Sequence, residues 1–207
     1  MKILVTGFKP FLGESVNPSE QIAIHLQNLF PEVHSVILPV VYSECFQILE
    51  SKVHQIRPDL LVMIGQAGGR STVTVEKIAL NHHQARAADE SGYQPEIGPI
   101  LPNQPLALQT VFPVDSMINQ LKTHFPIEVS CHAGTFVCNY LFHQALNRFP
   151  ELTPIFVHVP FLPEQLGHYQ GESDGKSSQQ LPSMSLEQQI SVLKNMIQWC
   201  LQNPIKG

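Results

Sequence analysis

The chain has 207 residues, of which 43% are hydrophobic and 14% charged, so it can bury one real core and is not intrinsically disordered. Twelve Lys and Arg against 17 Asp and Glu give a formal charge of −5 with no basic stripe, which excludes nucleic acid as an expected partner. No apolar run approaches a membrane span, and the scattered cysteines Cys45, Cys131, Cys138 and Cys200 contain no C-x-x-C pair, so a reduced, cytoplasmic protein without structural zinc is expected.

Lys2 to Thr6 reads as a buried first strand rather than the start of a signal peptide. Asn17-Pro18-Ser19-Glu20 opens a helix with Asn17 as cap and Pro18 at the first position. Ile22, Leu26, Leu29 and Phe30 form its apolar face. His34 to Val41 is a strand. Ser43 to Ile56 is a helix with Phe46, Leu49, Val53 and Ile56 on one stripe, ending before Pro58. Asp59 to Gly65 is almost wholly apolar, as a central strand covered on both faces must be. Thr72 to Leu80 alternates imperfectly and reads as a strand reaching beyond the core. Asn81 to Asn103 is a flap or long loop. A helix over Asp115 to Phe125 and a short strand over Pro126 to Ser130 follow. Gly134 then turns the chain into a helix from about Thr135 to Arg148. Pro154 to Val159 is another strand, and Gly167 to Ser183 is a polar loop. Ser185-x-x-Gln188 is a capping box opening a last helix with Leu186, Ile190, Leu193, Ile197 and Trp199 on its apolar side. Strands separated by helices predict a single α/β domain over 1–207, an α/β/α sandwich with a largely parallel twisted central sheet.

Three residue types with catalytic chemistry fall where such a fold could use them. Cys138 follows the Gly134 turn, in the first turn of a helix, where unpaired N–H groups favour a thiolate and could stabilise an oxyanion. The competing reading is a small core hydrophobe beside Phe136, Val137 and Leu141. His158 ends an apolar strand before Pro160 and could be the base that a thiol needs, or a core histidine bonded to a carbonyl. Glu76 could orient that imidazole, or pair with Lys77 on a solvated strand face. The Gly65–Arg70 loop could approach a small ligand closely, but lacks the P-loop ending. Phe8 and Phe11 could wall a flat apolar pocket or plug the core. His82-His83 are adjacent and cannot grip one ion from a strand, and no H-E-x-x-H is present, so no metal site is expected.

Taken together, Thr6-Gly7-Phe8 with Pro10-Phe11, Asn17-Pro18-Ser19, Gly65-Gln66-Ala67-Gly68-Gly69-Arg70, Glu76 with Ala79-x-Asn81, Ala85-Arg86, Gln94-Pro95, Ala133 to Asn139, Phe156-x-His158-Val159-Pro160 and Pro163-x-Gln165 resemble the pyroglutamyl-peptidase I family of cysteine peptidases over most of the chain. The resemblance implies that Cys138 is the nucleophile, His158 the general base and Glu76 the third triad member. It implies that Phe8 and Phe11 wall the pyroglutamyl ring, that Gln66, Phe136 and Val137 line its pocket with backbone groups meeting the lactam, and that Arg86 lies near the catalytic cysteine. It further implies peptides with an N-terminal pyroglutamate as substrate, no cofactor, a cytoplasmic location and a homo-oligomer, commonly a tetramer. The chain departs from the family pattern at Lys77, where Arg is usual, at Ser130-Cys131-His132 and Asp89 to Gly92, and most over Ile97 to Pro113. A protonated His132 would favour the thiolate and add an acidic-side feature to the pH–rate profile.

Two other readings use the same scaffold. A nucleoside hydrolase or phosphorylase would put phosphate or ribose at Gly65–Arg70 and has no need of a thiol. A non-catalytic small-ligand binding protein would keep the pocket and has no need of the intact Cys, His and Glu set.

Overall fold

The structure is a computed structural model that describes residues 1–168 and 181–204. In chain order it contains β1 (Ile3–Phe8), α1 (Pro18–Leu29), β2 (Val33–Leu38), α2 (Tyr42–Ile56), β3 (Leu60–Gln66), β4 (Val73–Glu76), β5 (Ile78–Leu80), β6 (Ala107–Gln109), α3 (Val114–Leu121), β7 (Ile127–Ser130), α4 (Val137–Arg148), β8 (Ile155–Val159) and α5 (Leu186–Gln202). Six strands form one sheet in the order β2-β1-β3-β8-β4-β7. The first four of these run parallel, β4 is antiparallel to β8, and β7 is parallel to β4.

The two faces of the sheet follow from the period of two along each strand. Ile3, Val5, Val62, Val75 and Val157 point to one side, where they pack with Ile22 and Leu26 of α1, Met117 of α3 and Leu193 and Met196 of α5. Leu4, Leu61, Met63 and Phe156 point to the other, against Cys45 and Leu49 of α2 and Leu141, Phe142 and Ala145 of α4. This is the expected α/β/α sandwich. Its apolar central strand β3 is buried along its whole length, as a strand covered by helices on both sides requires.

The local signals explain the helix starts. Asn17 accepts the backbone N–H of Ser19 with Pro18 in the first turn. Ser185 and Gln188 make both bonds of a capping box. Arg57 ends α2 in a left-handed cap before Pro58.

Several expectations shift. The strand read over Thr72 to Leu80 breaks at Lys77, whose N–H bonds the Ser130 carbonyl of the sheet edge. Beyond that residue β5 leaves the sheet and pairs antiparallel with β6 in a two-stranded ribbon. Asn139 of α4 holds this ribbon, accepting the Leu80 N–H and donating to the Leu80 carbonyl, both at 2.8 Å. In α1 Leu29 faces solvent, and Ala23 joins Ile22 and Leu26 in the core instead. In α5 the buried positions are Gln189, Val192, Leu193, Met196, Ile197, Trp199 and Cys200, with Leu186 and Ile190 at the margin. Of the polar stretch from Gly167 to Ser183, residues 169–180 lie outside the described residues. No helix among the described residues is long and apolar enough to cross a membrane.

Candidate active site

The connections after β1 and β3 diverge, since β1 leads through α1 to β2 on one side while β3 lies on the other. The carboxyl ends of β1 and β3 therefore flank a topological switch point, where open α/β sheets hold their ligands. A small, narrow pocket lies there. It brings together Phe8, Phe11, Gln66, Phe136, Val137 and Cys138, with Asn17 and Val40 completing the walls. Phe8 is buried at the end of β1 and Phe11 is half-buried in the loop behind it. That loop is pinned from α1: Ser19 Oγ accepts the Phe8 N–H at 2.9 Å, Asn17 Oδ1 accepts from the Ser19 hydroxyl at 2.8 Å, and Asn17 Nδ2 donates to the Lys9 carbonyl at 3.0 Å. Gly7 is obligatory beside this anchor, because a Cβ there would sit 2.3 Å from the Ser19 carbonyl oxygen.

Cys138 is the second residue of α4, behind an extended cap at Phe136 that offers no side-chain acceptor. Among the described residues no side chain caps the first N–H groups of α4, which can therefore meet an oxyanion. The sulfur lies over the sheet at Gly65, where an added Cβ would approach Sγ to 3.0 Å. Gly65 is level with His158 across the β3–β8 ladder. On the antiparallel neighbour, Thr74 is level with His158 and Glu76 with Phe156. Alternation thus carries His158 and Glu76 to the α2/α4 face of the sheet, the face over which Cys138 of α4 lies. There His158 Nδ1 is 2.8 Å from Glu76 Oε1, and both side chains are buried.

A further group completes the cluster. Arg70 Nη1 lies 2.8 Å from the same Glu76 oxygen and also bonds Thr74 Oγ1. Burial alone would raise the Glu76 pKa. The hydrogen bond and charge of His158, with the Arg70 guanidinium, outweigh it and hold the carboxyl below its usual range. An ionised Glu76 can only accept, so Nδ1 of His158 carries the proton and Nε2 presents its lone pair. Burial also lowers the His158 pKa, with Glu76 opposing, so the imidazole is neutral at neutral pH. The thiol of Cys138 is pushed up to about 12, first by burial and then by the Glu76 charge, against the pull of Arg70 and of its own backbone N–H. The resting set is a thiol, a neutral imidazole and a carboxylate, rather than the preformed thiolate expected from the helix start. Packing of the sulfur against the sheet outweighs the helix N-terminus here.

Not every expected residue joins this cluster. Arg86 is exposed on the loop after β5, in no ion pair among the described residues. The guanidinium beside the carboxylate is that of Arg70, which carried no role in the sequence reading. Lys77 turns outward to Asp115 at 2.7 Å, so Glu76 does not share a solvated face with it. His132 is exposed, and its Nδ1 accepts the Gly134 N–H at 3.2 Å. Among the described residues, no group of His, Cys, Asp and Glu side chains is placed to hold a metal ion.

A thiol at a helix start, over the same sheet face as an imidazole whose Nδ1 is fixed by a carboxylate, is the set of groups used by thiol hydrolases that work through an acyl-enzyme. A family model described as pyroglutamyl peptidase matches residues 1–203, and the chain belongs to that family. The pyrrolidone-carboxylate peptidase of Pyrococcus furiosus is 36% identical over 98% of this chain and 99% of its own. That of Bacillus cytotoxicus is 36% identical over 97% and 93%. Among solved structures, the pyrrolidone carboxyl peptidase of Fervidobacterium islandicum AW-1 superposes with a TM-score of 0.87 at 33% identity, covering 98% of this chain and 99% of that one.

Proposed function

We propose that this chain is a cysteine exopeptidase that removes an N-terminal pyroglutamyl residue, with Cys138 as nucleophile, His158 as general acid–base and Glu76 as its orienting partner. The observation that carries the reading is the position of Cys138. It forms one wall of the Phe8–Phe11 pocket while its sulfur lies over the sheet face that holds the His158–Glu76 pair. A pyroglutamyl ring is flat, small and neutral, with no free amine. Such a group needs an apolar slot and a few hydrogen bonds, and no carboxylate to hold an ammonium.

His158 Nε2 takes the thiol proton as Sγ adds to the pyroglutamyl carbonyl carbon. The uncapped N–H groups at the start of α4 receive the developing oxyanion. The C–N bond breaks, His158 returns the proton to the departing amine, and a thioester remains on Cys138. Water, deprotonated by His158, then attacks the thioester, releasing pyroglutamate and regenerating the thiol. Phe8, Phe11, Phe136, Val137 and Gln66 hold the ring, and Arg70 keeps Glu76 ionised. Free Cys45, Cys131, Cys138 and Cys200 suit a reducing, cytoplasmic setting. A homo-oligomer is supported by Leu106 and Val111 beside β6, apolar side chains that are 88% and 74% exposed; light scattering of the purified chain checks it.

The test is hydrolysis of a chromogenic pyroglutamyl amide beside its prolyl analogue. Turnover of the first with little or none of the second is expected, since buried donors would lose their partner in a prolyl ring. Equal turnover of the two, or none of either, would contradict the reading.

A further inference from the structure

Gln165 has no part in the chemistry above, yet it is 1% exposed in the short 3-10 turn after β8. Both ends of its side-chain amide are engaged. Oε1 accepts the Leu162 backbone N–H at 2.9 Å. Nε2 faces Gln66 Oε1 at 3.0 Å, the Val16 carbonyl at 3.3 Å and Glu14 Oε2 at 3.4 Å. These bonds have a direction. A backbone N–H can only donate, so the Leu162 bond decides which end of the Gln165 amide is oxygen. The other end is then NH₂, which can only donate, and Gln66 must turn its own oxygen toward it. The Gln66 Nε2 is thereby turned away from Gln165, and it meets no acceptor among the described residues. Gln66 stands at the end of β3 and lines the pocket beside Cys138.

We propose that Gln165 is a positioning residue for specificity: through the fixed direction of the Gln66 amide it presents an N–H donor to the pocket, where it meets the lactam carbonyl oxygen of the pyroglutamyl ring. This rests on the pocket holding that ring. The lactam offers both an acceptor (C=O) and a donor (N–H), and the Leu162–Gln165–Gln66 relay selects the acceptor. A prolyl ring has no oxygen to take the bond. The relay also ties three separate segments together: Val16 before α1, Gln66 at the end of β3 and Leu162 after β8. A backbone group far from the substrate therefore sets the polarity of the pocket wall.

The test is the Gln165→Glu variant, assayed with pyroglutamyl and prolyl amides, with Ki in place of kcat/KM where prolyl turnover is too slow. One oxygen of the introduced carboxylate still accepts the Leu162 N–H, but the other cannot donate. The Gln66 amide then turns over and shows its oxygen to the pocket. KM for the pyroglutamyl amide is expected to rise about tenfold, the value of one hydrogen bond, with kcat nearly unchanged. The pyroglutamyl-over-prolyl preference falls by the same factor. In a Gln66→Met background the second substitution adds nothing to the loss of preference. Should Gln165→Glu fail to fold, Gln165→Met is uncharged and similar in length; it frees the Gln66 amide and must also lower the preference. An unchanged preference in a folded variant, an equal loss of kcat on both substrates, or full additivity with Gln66→Met would overturn the proposal. A parent enzyme that does not cleave the pyroglutamyl amide at all would instead overturn the functional reading beneath it.

Discussion

Gly65→Ala tests the seat of the nucleophile directly. The added methyl would lie 3.0 Å from Cys138 Sγ and 2.9 and 3.0 Å from two ring carbons of Phe156. Ordinary contacts between such atoms begin near 3.5 Å, so the neighbours must give by roughly 0.5 Å. Phe156 is buried between β3 and α4 with Phe142 against it, its ring centroid 5.9 Å away, and has little room to retreat. The start of α4 is held to Leu80 by Asn139. The group that yields is therefore the sulfur, by rotating off its position over the sheet. A misplacement of 1 Å can cost about 10²-fold in rate, so half of that predicts a loss of about tenfold in kcat. Overpacking of this kind costs about 2 kcal/mol, which lowers Tm by roughly 4–8 °C in a chain of this size. The assay is steady-state hydrolysis of a pyroglutamyl amide beside a thermal melt. KM should change less than kcat, because Phe8, Phe11, Phe136 and Val137 keep their places and only the Cys138 wall shifts. A variant with the parental kcat would refute the reasoning that Sγ is seated against Gly65, whatever its Tm.

Glu76→Gln should lower kcat by about 10- to 100-fold, the worth of a charge-assisted bond, rather than more, because Arg70 can only donate and so keeps the amide oxygen facing His158; adding Arg70→Met frees that amide to turn, and a double variant no worse than the single would contradict this. The acid limb of kcat/KM should lie below pH 6.5, the ordinary histidine value, because burial lowers the His158 pKa and the base must be neutral to act; a limb at or above that value, read from a pH series, counts against it. A charge on His132 also lowers the His158 pKa, so His132→Ser should move the acid limb to higher pH, and superimposable profiles would remove His132 from the account. Phe11→Ala should raise KM for pyroglutamyl substrates by roughly 10-fold, about 1–2 kcal/mol of ring contact, and an unchanged KM would take Phe11 out of the pocket.

The sheet was legible because its central strands are continuous apolar runs, and the helices because Asn17, Pro18, Ser185 and Gln188 act locally. Cys138 and His158 could be picked out because a glycine turn and a strand end are also local signals. Glu76 could not be decided from its own neighbourhood, since Lys77 stood ready as a partner; only the register of β4 against β8 turns Glu76 inward and Lys77 outward. Register depends on pairing between strands far apart in the chain, which no local pattern contains. Arg70 escaped notice for the same reason. A signal was present, in that Thr74 and Glu76 share one face of a strand just after the arginine, but it required the strand's direction. The β5–β6 ribbon was missed because β6 is three residues long and half-exposed, too short to show a period.

The central claim is that Cys138 carries the acyl group. Mass spectrometry of the enzyme, acid-quenched during turnover of a pyroglutamyl ester and digested, reads this directly. A Cys131→Ser background removes the exposed free thiol, while Cys45 and Cys200 are buried, with thiols pushed up to about 12. The expected result is one pyroglutamyl mass on the peptide containing Cys138, absent in Cys138→Ala and much reduced in His158→Ala, which has no base to take the thiol proton. An acyl group on any other residue, or undiminished turnover by a folded Cys138→Ala variant, would contradict the account.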